Sequence, residues 1–520
     1  MEAIDVGWLG ILPPIIAITL ALVTKEVISS LIIGILSGTF IYAMHTGEGL
    51  VGTVSVAFRL MAEKMGDNTP IILFLAFLGS LVAVVTMAGG SKAYGSWAAS
   101  KIKSRSGAQL ATSALGVLIF IDDYFNCLTI GTVMRPVTDK HRISRAKLAY
   151  IIDATAAPVC IIAPISSWAA SVISQMDGLA GLNGMETFIH SIPYNLYAIL
   201  TLIMVVILAA TNLDFGPMEV FEHQALNESD EQNGNGGKEE DELAQLNVSE
   251  KGRVFDLLIP IFALIIFSVL AMLYVGGYFE GGMTLAEGFG NTDAGPALTL
   301  GGFGALMVAF VLFVPRKLLS FKEFMDGIGV GIKSMVPAFI ILTLAWTISG
   351  VCRDLLSTGE YVGAVVQASN MPPIFIPAII FIVAGFLSFA MGTSWGTFGI
   401  LIPIVAVVCQ AVAPELTVIS ISATLAGSVF GDHCSPISDT TILSSTGAAC
   451  NHIDHVSTQM PYALLVAGCC FVGYLVAGVT KNMWLTLGVS IGLLIVSIIM
   501  LHKLALKKEA KKESSKSVSA

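Results

Sequence analysis

Thr424-Leu-Ala-Gly-Ser-Val-Phe-Gly-Asp-His-Cys-Ser-Pro-Ile-Ser-Asp-Thr-Thr441 sets two carboxylates, Asp432 and Asp439, inside an otherwise apolar segment running over 416–446. In hydrocarbon every backbone N–H and C=O must find a partner. A segment broken by Gly, Pro and polar residues therefore survives only when buried against other helices or lining a wet cavity. Such segments mark substrate sites in transporters. Four more segments are broken in the same way, at 108–135, 148–174, 336–356 and 374–411. Around them lie apolar runs of about 20 residues, the length that crosses a bilayer. These fall near 8–24, 27–45, 70–88, 192–211, 255–275, 296–314, 460–479 and 483–502. The pattern predicts an all-α polytopic membrane protein with about 11–13 transmembrane or re-entrant segments.

Composition points the same way. The 520 residues are 55% hydrophobic and only 12% charged, against about 25% charged in a soluble chain. A formal charge of −10 supplies no basic face for phosphates and argues against nucleic acid as a partner. The eight cysteines contain no C-x-x-C pair and read as reduced packing residues.

The chain divides into an N-terminal transmembrane repeat at 1–218, an acidic hydrophilic linker at 219–253, a C-terminal transmembrane repeat at 254–502 and a basic tail at 503–520. The linker carries Glu-Ser-Asp-Glu at 228–231 and Glu-Glu-Asp-Glu at 239–242, so it is expected to be solvated. Basic clusters at Arg135, Lys140, Arg142, Arg145 and Lys147, at Arg316, Lys317 and Lys322, and in the tail predict cytoplasmic loops. Lys101, Lys103 and Arg105 fit the same face. That gives 106–134 basic flanks at both ends, as a re-entrant hairpin or a broken helix.

The two halves echo one another. Gly90 matches Gly359, Phe120 matches Phe389, and Ala154-Thr-x-Ala157 matches Ala423-Thr-x-Ala426, at offsets 359 − 90 = 269, 389 − 120 = 269 and 423 − 154 = 269. Pro164-Ile-Ser166 matches Pro436-Ile-Ser438, with 436 − 164 = 272. Two homologous repeats, expected to be inverted, imply a transporter scaffold with a midplane site.

The acids sit at different breaks in the two halves. Asp122 and Asp123 follow an apolar run. An acid at mid-bilayer costs roughly 2.5–3.5 kcal/mol on insertion scales, and a bound cation or a proton would relieve the repulsion between neighbours. At the matching position the second half reads Met391-Gly392, and it carries Asp432 and Asp439 where the first half has Cys160 and Ser167. One shared oxygen-rich site suits a hard cation. Its candidate ligands are Asp122, Asp123, Asn126, Thr393, Ser394, Thr397, Asp432, Ser435, Ser438, Asp439 and Thr440. Asp153 is expected to pair with a basic residue of the 135–147 loop. His452 and His455 read as loop residues at a membrane surface.

Gly-Thr-Ser-Trp-Gly-Thr at 392–397, Gly-Asp-His-Cys-Ser-Pro-Ile-Ser-Asp-Thr-Thr at 431–441 and Asp-Asp at 122–123 resemble signatures of the NhaC-type Na⁺/H⁺ antiporters of the ion transporter superfamily. The resemblance covers most of the chain outside the linker and tail. It implies a bacterial inner-membrane antiporter with inverted repeats and paired hairpins. The family also includes proteins assigned to malate/lactate exchange. The expected function is a secondary active Na⁺(Li⁺)/H⁺ antiporter with alternating access. It is not an enzyme, needs no cofactor or resident metal, and has Na⁺, H⁺ and the lipid bilayer as partners. A homo-oligomer is left open. The linker and tail are expected to be cytoplasmic. The alternative is a Na⁺- or H⁺-coupled organic anion or amino-acid transporter. A remote alternative rests on Gly392-x-Ser394-x-Gly396, which matches the nucleophile elbow of serine hydrolases, with His433 as base.

Overall fold

The computed structural model describes residues 3–24, 26–120, 123–164, 166–176, 183–227, 248–358, 360–361, 364–365 and 372–518. Asp122 lies outside them. The first half forms α1 (Leu12–Thr24), α2 (Val27–Thr46), α3 (Gly49–Asp67), α4 (Thr69–Met87), α5 (Gly90–Lys101), α6 (Arg105–Leu118), α7 (Asp123–Lys140), α8 (Arg145–Cys160), α9 (Ser167–Ser174), α10 (Gly184–Ser191), α11 (Leu196–Thr211) and α12 (Pro217–Asn227). The second forms α13 (Phe255–Val275), α14 (Leu285–Gly290), α15 (Ala294–Phe313), α16 (Phe321–Ser334), α17 (Val336–Gly350), α18 (Ile376–Met391), α19 (Ser394–Val412), α20 (Thr417–Cys434), α21 (Asp439–Ala448), α22 (His452–Thr480) and α23 (Met483–Val518). The described residues contain no strand.

Eight of these helices are long and apolar enough to cross a membrane: α2, α4, α13, α15, α18, α20, α22 and α23. Two further pairs pass only as broken spans, Gly184–Tyr194 with Leu196–Thr211, bent by 44°, and α16 with α17. Helix ends are written locally. Ser104 and Ser144 accept hydrogen bonds from Gly107 N and Lys147 N at the starts of α6 and α8, satisfying donors that have no partner within the helix.

The 106–134 stretch is a hairpin. α6 runs in from Ile102, and α7 returns to the same place, where His141 Nε2 lies 3.0 Å from Ile102 O. Glu222 closes its foot by pairing with Arg105 and accepting from Ser144 N at 2.8 Å. Glu222 belongs to α12, so the stretch read as a solvated linker from 219 begins as a docked helix. Burial pushes the Glu222 carboxyl up, while Arg105 and Lys147 pull it back.

α22 gives a ruler for the second hairpin, α18–α19. Its 29 residues rise about 43 Å. At its N-terminal end Arg145, which opens α8, donates to Ala448 O at 3.2 Å, so the foot of the first hairpin is there. At its C-terminal end Lys481 pairs with Glu415 at 2.9 Å, and Gly478 lies against Ile374 O, so the feet of α18 and α19 are there. The helices also interleave across the halves. α4 packs on α15 and α16, while α17 packs on α2 and α3.

Candidate functional site

Four helices start inside the bundle: α7, α9, α19 and α21. Each start leaves N–H groups without intrahelical partners and a partial positive charge. The sequence supplies an acid or a hydroxyl at each. Between α20 and α21 the chain breaks over 435–438. Ser438 caps α21 by accepting from Thr441 N at 3.3 Å and shares a 3.1 Å hydrogen bond with Thr440 Oγ1. The tip of the second hairpin presses on this break. Gly392 turns α18 into α19 at φ +67°, and a Cβ there would fall 2.6 Å from Ile437 O. Both the turn and the contact require glycine.

Asp432 ends α20 and Asp439 opens α21, and both are buried. Ser394, at the start of α19, donates to Asp432 Oδ2 at 2.8 Å. Asp432 Oδ1 is buried and has no hydrogen-bond donor among the described residues. Asp439 Oδ1 accepts from Thr440 N at 2.8 Å, and Asp439 Oδ2 accepts from the Tyr124 hydroxyl. Tyr124 lies in the first turn of α7, so the starts of α7 and α21 meet across the two halves. They stay together lower down, where Gly131 and Gly447 bring the two backbones into contact; a Cβ on Gly131 would lie 2.3 Å from Gly447 C and O.

The candidate residues thus divide. Ser394, Asp432, Ser438, Asp439 and Thr440 converge on one break. Asp123 is buried at the start of α7 beside Tyr124. Thr393 precedes α19 and is half-buried. Others bond to backbone. Thr397 donates to Thr393 O at 2.9 Å, and Ser435 donates to Phe389 O at 2.8 Å. Asn126, read as an oxygen donor, turns its amide nitrogen to Gly116 O and Ile119 O, each at 2.8 Å. This ties the first hairpin together, and Asn126 Oδ1 stays buried without a partner among the described residues.

Four residues were missed or misplaced. Tyr124 carried no signal beyond its position after the acid pair. Asp153 does not reach the basic loop: Arg145 pairs with Asp139 at 2.9 Å, and Lys147 pairs with Asp214. Asp153 is instead fully buried among Ser444, Gln459 and His455. His455 is therefore a core residue of α22, not a surface loop residue, and His452 Nε2 lies 2.7 Å from Pro436 O. The nucleophile-elbow reading fails on geometry: Ser394 donates to Asp432, while His433 Nδ1 faces the Tyr197 hydroxyl at 3.2 Å.

Broken helices, opposed hairpins and buried carboxylates at a break define a secondary transporter. Residues 159–479 match the model of the Na⁺/H⁺ antiporter family, and the chain belongs to that family. It is 41% identical over 498 residues to an uncharacterized protein of Haemophilus influenzae, covering 93% of each chain. It is 27% identical over 254 residues to the malate-2H⁺/Na⁺-lactate antiporter of Bacillus subtilis, covering 41% of this chain and 52% of that one. The solved structure of Neisseria gonorrhoeae MtrF aligns over 82% of this chain and 84% of that one at 11% identity and a TM-score of 0.32, too low to carry an argument. The protein is an integral protein of a bacterial cytoplasmic membrane and a secondary transporter, not an enzyme.

Proposed function

We propose that the protein exchanges Na⁺ or Li⁺ for H⁺ at the break between α20 and α21, with Asp432 and Asp439 as the carboxylates and Ser394, Ser438 and Thr440 as hydroxyl oxygens around them. The observation that carries this reading is Asp432 Oδ1, a buried carboxylate oxygen with no donor among the described residues, in a break shared with Asp439. An acid so placed is satisfied by a cation or by a proton. Competition between the two for the same oxygens couples their fluxes.

Alternating access needs a scaffold with two arrangements, and we infer that the halves are inverted repeats. Supporting this, helices recur at nearly constant spacing: α19 begins 394 − 123 = 271 residues after α7, α20 begins 417 − 145 = 272 after α8, and α21 begins 439 − 167 = 272 after α9. The two hairpins have their feet at opposite ends of α22, as repeats of opposite orientation require. The first foot carries Arg105, Arg142 and Arg145 and, by the positive-inside rule, faces the cytoplasm. α12 docks on that foot, and α23 returns toward the same side, so the acidic linker and basic tail are assigned to the cytoplasm.

An organic-anion exchanger is the second reading, favoured by the malate–lactate exchange named for the Bacillus subtilis relative. Against it, the residues gathered at the break include no Lys or Arg to balance an anion. Purified protein in proteoliposomes with an internal pH dye separates the two. Under an imposed proton gradient, NaCl or LiCl alone is expected to dissipate it. A response only to malate or lactate would transfer the carboxylates from substrate binding to coupling.

A further inference from the structure

Asp153 lies in the middle of α8, outside the set of cation ligands, and its surroundings differ in kind from those of Asp432. Four groups converge on it from two helices. Thr441 Oγ1 and Ser444 Oγ, three residues apart on α21, approach at 3.4 and 3.1 Å. Gln459 Nε2 and His455 Nε2, four apart on α22, approach at 2.5 and 3.4 Å. The second hydrogen of the Gln459 amide nitrogen goes to His433 O at 2.9 Å. Asp153 thus accepts from Thr441, Ser444 and Gln459, with the His455 imidazole beside it. Yet it is adjacent to the site: Thr441 Oγ1 also lies 3.4 Å from Asp432 O. Such a shell stabilises a carboxylate in its ionised form.

We propose that Asp153 is a fixed counter-charge, a positioning residue that draws the transported cation to the Asp432–Asp439 break through the low-dielectric interior without coordinating it. The inference rests on the cation-exchange reading above. A unit charge acting through protein rather than by contact is expected to change affinity and leave turnover in place.

The test is Na⁺-driven dissipation of a pH gradient in proteoliposomes, with KM and maximal rate measured separately. Asp153→Asn is expected to raise the Na⁺ KM roughly tenfold with the maximal rate within about twofold. Ser444→Ala and Thr441→Val, which remove the packing bonds but keep the charge, are expected to leave KM within about threefold. Should Asp153→Asn not fold, Asp153→Asn combined with His455→Gln removes the charge while keeping a neutral hydrogen-bonding pair, and the same KM rise is expected. An unchanged KM in a folded variant would overturn the inference, as would exchange lost even at saturating Na⁺. If the wild type itself shows no Na⁺ response, the parent reading fails and this one with it. A Na⁺-responsive wild type with a folded Asp153→Asn variant of unchanged KM defeats this one alone.

Discussion

The break between α8 and α9 and the break between α20 and α21 are built alike and filled differently. In each a serine caps the short helix that follows: Ala169 N donates to Ser166 Oγ at 3.0 Å, and Thr441 N donates to Ser438 Oγ at 3.3 Å. In the first, Ser166 Oγ donates back to Cys160 O at 2.8 Å. Trp168 then brings an aromatic wall, lying 5.1 Å from Trp395 and 5.8 Å from Phe398. In the second, Asp432 and Asp439 stand where the first has Cys160 and Ser167. Backbone geometry alone therefore does not make an ion site. The first break is sealed with rings, and the second leaves a carboxylate oxygen without a donor among the described residues.

The largest expected effect breaks that contrast. Asp432→Asn and Asp439→Asn should each abolish Na⁺-driven exchange while the protein still inserts and purifies; normal dye signals from both would move the site elsewhere. Next, Cys160→Asp in the Asp432→Asn background should not restore exchange. It should also lower stability, since a buried acid there costs roughly 2.5–3.5 kcal/mol on insertion scales, and a thermal unfolding scan in detergent reads the loss. A rescued exchanger would show that the two breaks are interchangeable. Gly447→Ala sharpens the link between the halves. Its Cβ would meet Cys127 O at 2.5 Å, so α7 and α21 must part, at a cost of about 1–3 kcal/mol in the same scan.

The smallest effect lies outside the spanning helices. Glu287 closes a capping box with Thr284 at the start of α14, and hydrogen bonds from Thr284 hold its carboxyl below the usual range. A lowered pKa in the folded state means the cap stabilises above the unfolded value and is lost as pH falls through the folded one. Glu287→Gln should therefore lower the melting temperature slightly at neutral pH and not at all in acid. An equal drop at both pH values would assign the effect to packing instead.

Much of this was legible in the chain. Apolar run lengths located the spans, because hydrocarbon thickness sets helix length. The polar breaks at 392–397 and 431–441 located the residues that now converge, because lipid forbids such breaks without a purpose. Hydropathy could not show that 106–134 turns back, since a hairpin and a crossing bury the same side chains. That needed the contact of His141 with Ile102. Asp153 was misassigned because Arg145 and Lys147 are near in sequence. Eight residues of helix, however, carry Asp153 about 12 Å beyond Arg145, and both cations have other partners. The spacing of His455 and Gln459, four apart on one helical face, was the available signal that an acid lay opposite.

The interleaving of α4 with α15 and α16, and of α17 with α2 and α3, bears on how the molecule comes apart. Residues 1–218 cannot be drawn away from 254–502 without baring faces of α4 and α17 that are packed in the intact chain, so the two parts are expected to unfold as one cooperative unit.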